Sequence, residues 1–380
     1  MPLTAVLVLH ANAGQMGLIG AATAIPSLLF SLHIGAWVDG RGRRRQTMLV
    51  ADFARAALLT SIPIVYFLGW LSVPSFLLIE LLFGLCSVFF RVSASTLFVS
   101  LVSRDNYVEA NSVIQGSNAV AWLAGPSIGG FLVQLLSAPM AIFADALSYL
   151  ASAVSLAWIH PEEPAAAQKE PGHLTAGLRF LWASPVLRPL VLTLGSISFF
   201  EGILMALYVL YVTNELHVTP AELGIIVGPS SVGALLGSAV ATRANKRFGL
   251  GAAFLLGTLL YTAPRLLVPM VGGPHLLVVA LLLVAEGFSG MGLMVREVSN
   301  GSIQAAAVPD AVRARVAGAM QLVNSGARPV GSLLGGLLAI LVGVRGAMWV
   351  AGVGAILGIV WLLPSPILRM RTVNDFLPQA

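Results

Sequence analysis

Charged residues are scarce in this chain of 380 residues. Asp, Glu, Lys and Arg together make up 10% of it, whereas a soluble protein carries roughly 25%. Too little polar surface remains to face water, and disorder is excluded because disordered chains combine low hydrophobicity with high charge. The single cysteine, Cys86, excludes a disulfide framework. Apolar residues are abundant, at 57% of the chain and a mean hydropathy of +0.90, which predicts a membrane protein.

Motifs for nucleotide, metal and nucleic-acid chemistry are also lacking. A phosphate-binding loop ends in Lys-Ser or Lys-Thr, but the two lysines, Lys169 and Lys246, are followed by Glu and Arg. The six histidines are scattered, so no metal site or other cofactor is predicted. The net charge of +5 comes from arginine clusters between apolar blocks, which argues against nucleic acid as a partner. No nucleophile and base share a depth in the apolar blocks, so we expect no enzyme and no catalytic residues.

Apolar blocks of about twenty residues or more recur along the whole chain, the length that a helix needs to cross the roughly 30 Å of a bilayer. They lack the alternating polarity of barrel strands. The sequence therefore predicts an all-α polytopic membrane protein. We expect a partial first span at Pro2–Leu9 and eleven full spans, at 15–38, 47–69, 73–97, 110–136, 138–159, 185–213, 220–242, 250–272, 275–297, 316–342 and 345–364.

Lysine and arginine are concentrated in one set of loops. This set holds 14 of the 21 Lys and Arg residues, whereas the opposite loops are very short and hold only Arg345. Loops rich in Lys and Arg stay on the cytoplasmic side of a membrane. We therefore predict a multi-pass protein of the cell membrane with its linker and C-terminus in the cytoplasm. The basic loops are 39–46, 102–110, 160–184, 243–249, 298–315 and the tail 365–380.

The two halves of the chain resemble each other. Pro126 and the pair Gly129–Gly130 recur as Pro329 and Gly335–Gly336, and across four such matches the offset stays between 202 and 206 residues. A near-constant offset predicts two pseudo-symmetric six-helix bundles, an architecture found in secondary transporters. The predicted organisation is an N-terminal bundle at 1–160, a cytoplasmic linker with an amphipathic helix at 161–184, a C-terminal bundle at 185–364 and a tail at 365–380.

The first span is short compared with its counterpart in the second half. By the repeat offset, roughly 20 residues of a helix-length span would precede Met1. Two interpretations stay open: the natural start lies upstream of Met1, or Pro2–Leu9 lies at the outer interface. We expect the former, because a charged amino terminus in mid-bilayer is costly. The segment has neither the basic leader nor the cleavage site of a signal peptide.

The loop after the first full span contains a recognisable motif, Gly35-Ala-Trp-Val-Asp39-Gly-Arg-Gly42-Arg43-Arg44. It resembles the signature loop of the major facilitator superfamily, which implies that family's fold and an inner gate latch. Asp39 can pair with a following arginine and meet the positive end of a helix in the other half, near 316–320. A plain basic loop is the alternative. The latch residues implied by the resemblance are Gly35, Asp39, Gly42, Arg43 and Arg44.

A second resemblance lies in the predicted span 110–136. The run Gly125-Pro126-Ser-Ile-Gly129-Gly130 resembles the motif of drug-efflux antiporters in the same superfamily. Pro126 removes a helix hydrogen bond and favours a kink, and the glycines allow a neighbouring helix to come close. Ordinary small-residue packing is the alternative. The resemblance to the multidrug, macrolide and siderophore exporters implies efflux of small, largely apolar molecules.

Few ionisable residues lie deep in the predicted spans, and each suggests a function because its burial in lipid is costly. Glu201, Glu286 and Arg328 fall near the middle, and Glu80 falls toward the outer side. In this architecture the first and fourth helices of each half line a cavity, which places the three glutamates there. We expect Glu201 or Glu286 to carry a proton with Arg328 as its partner. A fixed buried ion pair, such as Glu286–Arg328, is the alternative.

Together these features predict a secondary active transporter that works as a monomer in the lipid bilayer. We expect it to export small, largely apolar molecules by alternating access, and to draw its energy from protons because no nucleotide-binding motif is present. The alternatives are an importer of the same fold and a truncated or inactive relative without transport.

Overall fold

The computed structural model of the protein describes residues 1–101, 106–159, 174–309 and 312–370. Residues 161–173 of the predicted linker and residues 371–380 of the predicted tail lie outside these ranges, as does the side chain of Asp39. All regular structure within the described ranges is helical. The α-helices are α1 Pro2–Leu7, α2 Ala13–Arg41, α3 Arg44–Phe67, α4 Val73–Leu101, α5 Tyr107–Leu136, α6 Ala138–Trp158, α7 Leu174–Ala183, α8 Leu187–Asn214, α9 Pro220–Val227, α10 Pro229–Phe248, α11 Leu250–Thr262, α12 Leu267–Met270, α13 His275–Ala307 and α14 Arg313–Leu357.

Nine stretches of the described residues are helical, long and apolar enough to cross a membrane, two fewer than the eleven full spans predicted. The last two predicted spans fall in the one run Arg313–Leu357, but the backbone is non-helical at Gly343, with φ 79° and ψ 162°, so the chain turns between two helical segments there. The predicted span 110–136 falls in α5, whose apolar part is limited to Ala124–Leu136. The partial first span is the six-residue helix α1.

Helices pack mainly within each half of the chain. In the first half α3 packs against α4 and α6, and α2 packs against α4. In the second half α8 packs against α14, and α13 lies between α10 and α11. The core of the second half includes Leu187, Leu190, Phe254 and Ile303, whose side chains are almost completely buried. Burial of these apolar side chains against each other, together with close helix approach, holds each half together.

The helix α7 in the predicted linker packs against α8 and α14. Leu181 is buried in the core of the second half, whereas its neighbour Trp182 is exposed. Gly177 touches the backbone of Arg315 at the start of α14. The side chains of Val316 and Met320, which we expected near Asp39, are therefore buried in a core that α7 completes.

Candidate functional site

The two halves of the chain meet along α2 and α14. The Ser332 hydroxyl donates a hydrogen bond to the Gly17 carbonyl over 3.0 Å. A Cβ atom on Gly17 would lie 2.7 Å from the Ser332 carbonyl oxygen and 2.9 Å from Gly336 Cα, so only glycine fits there. The small residues let α2 and α14 approach closely and join the two halves at this point.

A second contact between the halves lies along α5 and α9. The Ser127 hydroxyl donates to the Gly224 carbonyl over 3.0 Å, and a Cβ on Gly224 would lie 2.7 Å from the Pro126 carbonyl oxygen. Gly130 packs against the same stretch of α9, whereas a Cβ on Gly125 or on Gly129 would meet no described atom within 4 Å. We call these two inter-half contacts, Gly17–Ser332 and Ser127–Gly224, the seam.

The seam lies on the side of the molecule opposite the basic loops. Helix α2 starts on that side and ends at the first basic loop, while α9 starts there and α14 turns there at Gly343. Toward the basic loops the side chains of Leu29 on α2 and of Val113 and Val120 on α5 are exposed. The two halves are thus held together at the side of the molecule opposite the basic loops.

Helix α2 ends in the signature loop, at a glycine with a left-handed backbone conformation. Gly42 has φ 63° and donates its N–H to the Val38 carbonyl over 3.2 Å, which explains the glycine at this position. Arg45 donates to the carbonyl oxygens of Leu156 and Ala157, at 2.9 and 2.5 Å, at the end of α6. The loop is therefore fastened to its own half of the chain.

The other residues of the predicted latch differ in their contacts and in their burial. The close approach expected at Gly35 is wrong for this conformation, since a Cβ there would meet no described atom within 4 Å. Arg43 is exposed between α2 and α3, whereas Arg44 is buried. Ala241, which stands where the second half would have the latch aspartate, is completely buried.

The second half contains a buried charge cluster centred on Glu201 of α8. Its carboxylate accepts a hydrogen bond from the Tyr261 hydroxyl, and the guanidinium groups of Arg265 and Arg328 approach it to 3.3 and 3.0 Å. The Glu201 side chain is 12% exposed, but that of Arg328 is 54% exposed. The cluster therefore extends from the interior of the second half to a surface on α14.

Two arginines hold Tyr261 in place. The guanidinium carbons of Arg265 and Arg296 lie 4.1 and 4.4 Å from the centre of its ring, close enough for cation–π attraction. Arg296 also binds the carboxylate of Glu297 over 2.7 Å. Tyr261 and Arg265 were missed as site residues by the sequence prediction, although their spacing of four residues puts them on one helix face.

Glu286 of α13 faces the Tyr208 hydroxyl and interacts electrostatically with Arg265. Arg328 binds Glu201 and not Glu286, so the fixed buried ion pair that stands as the alternative involves Glu201 in this conformation. Both predicted proton carriers nevertheless belong to one cluster, because Arg265 interacts with each of them.

Glu80 does not line an open cavity, contrary to our prediction. It is fully buried, and neither carboxylate oxygen accepts a hydrogen bond from the residues that the structure describes. Its neighbours Phe76 and Ile79 are buried in a core shared with Met16 and other residues of α2. The face of α4 that carries Glu80 therefore packs against the bundle and not against a solvent-filled space.

Comparisons with known proteins identify the family of this chain and structures of similar fold. The family model of transmembrane secretion effectors matches residues 5–377. The multidrug efflux pump Tap of Mycolicibacterium fortuitum is 26% identical over 392 residues, covering 98% of this chain and 90% of Tap. A mutant of the nucleoside transporter NupG has a similar fold (TM-score 0.76, 13% identity, 95% of this chain and 93% of that one). So does a bacterial homologue of the iron transporter ferroportin in an inward-facing state (TM-score 0.74, 15% identity, 96% and 92%).

Proposed function

Because the chain belongs to the transmembrane secretion effector family of the major facilitator superfamily, we propose that it exports small, largely apolar molecules in exchange for protons. The chain is a membrane transporter with an efflux role and not an enzyme, in agreement with the multidrug efflux pumps among its relatives. Exchange for protons by alternating access is the specific mechanism proposed for it.

The two halves, 1–160 and 185–364, act as two six-helix bundles joined by the linker 161–184. Since the loops rich in arginine and lysine stay on the cytoplasmic side, the linker and the tail 365–380 face the cytoplasm and the seam faces outward. The protein works as a monomer in the cell membrane. With its halves joined at the outer side, the conformation described above is open to the cytoplasm.

The observation that supports proton coupling is the position of Glu201. It is a buried carboxylate bound by Tyr261, Arg265 and Arg328, and the last of these reaches an exposed surface of α14. A proton that binds Glu201 removes its negative charge and weakens its attraction to both arginines, because that attraction depends on the product of the charges. Glu286, which shares Arg265 with Glu201, is the second candidate for the proton.

Helix α14 connects this charge cluster with the seam. Arg328, which binds Glu201, lies one turn before Ser332, which binds Gly17 of the other half. A change in the force between α8 and α14 therefore acts on the helix that also holds the two halves together. Protonation of Glu201 and opening of the seam are coupled through this helix, which is how a proton gradient drives the change of access.

The signature loop has its role in the opposite, outward-open state. Arg45 fastens the loop to α6, so the loop moves with the first half as a rigid unit. When the cytoplasmic sides close, Asp39 and Arg43 form the latch between the halves. On the outer side, Gly130 and Gly224 supply the close contact that must separate in the same movement.

Accumulation of dyes in cells tests this function. A bacterial host lacking its own efflux pumps would express the wild type, Glu201→Gln, Glu286→Gln or Glu109→Gln, the last altering an exposed glutamate at the start of α5. The dyes are a cation, ethidium, and an anion, fluorescein, and the amount of protein in the membrane is measured for each variant. We expect the wild type and Glu109→Gln to lower the accumulation of at least one dye, and Glu201→Gln to lose most of this effect.

Each possible result separates the candidate functions. If Glu201→Gln and Glu286→Gln both export as fast as the wild type, neither glutamate carries the proton. Higher accumulation in cells with the wild type would indicate an importer. Wild-type cells that match the empty vector for every dye would indicate a protein without export activity.

A further inference from the structure

Three polar side chains form a stripe along one face of α14. Gln321, Asn324 and Arg328 follow one another at intervals of three and four residues, which places them on the same side of a helix. All three are exposed, and more than half of the Arg328 side chain is accessible. We call these three residues the α14 stripe.

The α14 stripe presents hydrogen-bond donors. A guanidinium group has five N–H donors, and in the described contacts Arg328 uses Nη2 to bind Glu201 over 3.0 Å. The side-chain carbonyl of Asn324 accepts a hydrogen bond from the Ser198 hydroxyl, which turns its amide NH₂ group away from Ser198. A positive charge and an amide donor thus lie one turn apart on the exposed face.

The stripe lies beside the contact between the two halves. Ser332, one turn beyond Arg328, contacts Gly17 in the seam. Between Asn324 and Arg328, a Cβ on Gly326 would lie 3.2 Å from the side chain of Leu28 on α2, and the next residue of α2, Leu29, is exposed. The α14 stripe therefore has apolar side chains of α2 beside it.

The acidic residues near this depth are less exposed than Arg328. The Glu201 side chain is 12% exposed, Glu286 is partly buried and Glu80 is fully buried. Arg328 is therefore the accessible end of the cluster, and an ammonium group placed beside it would be repelled. An organic anion would be attracted to Arg328, because a guanidinium group can donate two parallel hydrogen bonds to a carboxylate or a sulfonate.

We propose that the α14 stripe is the subsite that binds the acidic group of an amphiphilic anion, with the apolar body of the molecule against α2. The proposal rests on the proposed efflux function and specifies its cargo: apolar molecules that carry a carboxylate or a sulfonate. When Arg328 turns to the cargo, Glu201 keeps its contacts with Tyr261 and Arg265, so its buried charge is not left without partners.

Binding of two matched probes tests the subsite. Pyrene-1-sulfonate and (1-pyrenylmethyl)trimethylammonium share an apolar body and carry fixed, opposite charges. Equilibrium dialysis would measure their binding to the full chain in lipid nanodiscs, with empty nanodiscs as the blank. The variants are Arg328→Gln, Arg328→Lys, which keeps the charge, and Arg188→Gln, which alters an exposed arginine near the start of α8.

We expect the wild type to bind the sulfonate more tightly than the ammonium probe. Arg328→Gln should weaken sulfonate binding about tenfold, the effect of losing one charge-assisted hydrogen bond. Arg328→Lys should retain most of the binding and Arg188→Gln all of it. The ammonium probe should bind Arg328→Gln no more weakly than the wild type.

Unchanged sulfonate binding in Arg328→Gln would overturn the subsite, and so would equal loss of both probes in a variant that remains monodisperse. If Arg328→Gln does not fold, Asn324→Ala takes its place: weaker sulfonate binding with unchanged ammonium binding supports the subsite, and unchanged or equally weakened binding of both probes overturns it. Preference of the wild type for the ammonium probe would refute the anion subsite while leaving efflux intact. Failure of dye export in cells, by contrast, would count against the proposed function itself.

Discussion

At the residue scale, two glutamates that are buried in the described part of the chain, Glu201 and Glu80, are in opposite situations. Glu201 has one hydroxyl and two guanidinium partners, whereas the oxygens of Glu80 accept no hydrogen bond from any described residue. Removal of one member of a buried ion pair leaves the remaining charges uncompensated, at a cost of several kcal/mol. Replacement of an unpartnered carboxylate by an uncharged group of the same shape carries no such cost.

These two environments predict opposite effects of the same substitution on stability. We expect Glu201→Gln to lower the free energy of unfolding by on the order of 3 kcal/mol, since Arg265 and Arg328 lose their anionic partner. Glu80→Gln should leave it unchanged or raise it. The midpoint of thermal unfolding in detergent, followed by size-exclusion chromatography, would measure both variants. A larger loss in Glu80→Gln than in Glu201→Gln would contradict this assignment of partners.

The members of the charge cluster could be predicted from the sequence in part, and their pairing could not. Glu201, Glu286 and Arg328 could be selected because a charge in the middle of an apolar block is costly and therefore informative. Which arginine meets which glutamate could not be predicted, since this depends on the rotation of each helix about its axis. Tyr261 carries no charge, and Arg265 falls between the middle and the outer side of the predicted span 250–272, so neither was selected.

At the scale of elements, glycine positions decide which helices touch. Gly224 and Gly129 both lie in membrane helices, but a Cβ would collide with the Pro126 carbonyl in the first case and meet no described atom within 4 Å in the second. The motif in the sequence indicated small-residue packing without saying which glycine makes the contact. In the structure, the contact is made by Gly130 of the motif and by Gly224 of α9, which lies outside the motif.

This difference gives a matched pair of substitutions. We expect Gly129→Ala to be neutral or to stabilise by up to about 1 kcal/mol, because alanine favours the helix over glycine. Gly224→Ala should destabilise by about 1–3 kcal/mol, since the added methyl group overpacks the contact between α5 and α9. The midpoints of thermal unfolding of the two variants in the same detergent would measure these changes in stability. Equal midpoints would show that the seam does not depend on this contact.

Helix boundaries were predicted well where apolar blocks end in polar or glycine-rich turns. The predicted spans 138–159 and 185–213 agree closely with the helices Ala138–Trp158 and Leu187–Asn214. Two breaks were not predicted. One lies at Gly228, where α9 gives way to α10, and the other is the 3₁₀ turn Ala263–Leu266 before α12. At each of these two breaks, a proline follows the first residue within one or two positions. A proline inside an apolar block does not show by itself whether the helix continues.

At the scale of the whole molecule, the sequence repeat suggested two units, and the packing agrees in that most helix contacts stay within one half. The direction of opening could not be predicted from the sequence, because both states of such a transporter share one set of residues. The proposed direction is supported by the seam, which lies opposite the basic loops. Helix α14 links Arg328, which binds the proposed proton carrier Glu201, with Ser332, which joins the halves.

Transport by the purified full chain in liposomes tests this link most directly. Liposomes would contain the protein with its basic loops facing out, established by protease accessibility, and a pH-sensitive dye inside. With an acidic interior and pyrene-1-sulfonate or ethidium outside, we predict uptake of at least one probe together with a loss of internal protons, both absent from protein-free liposomes. Uptake that proceeds equally without the pH difference, or no uptake of any small apolar probe, would contradict proton-driven export.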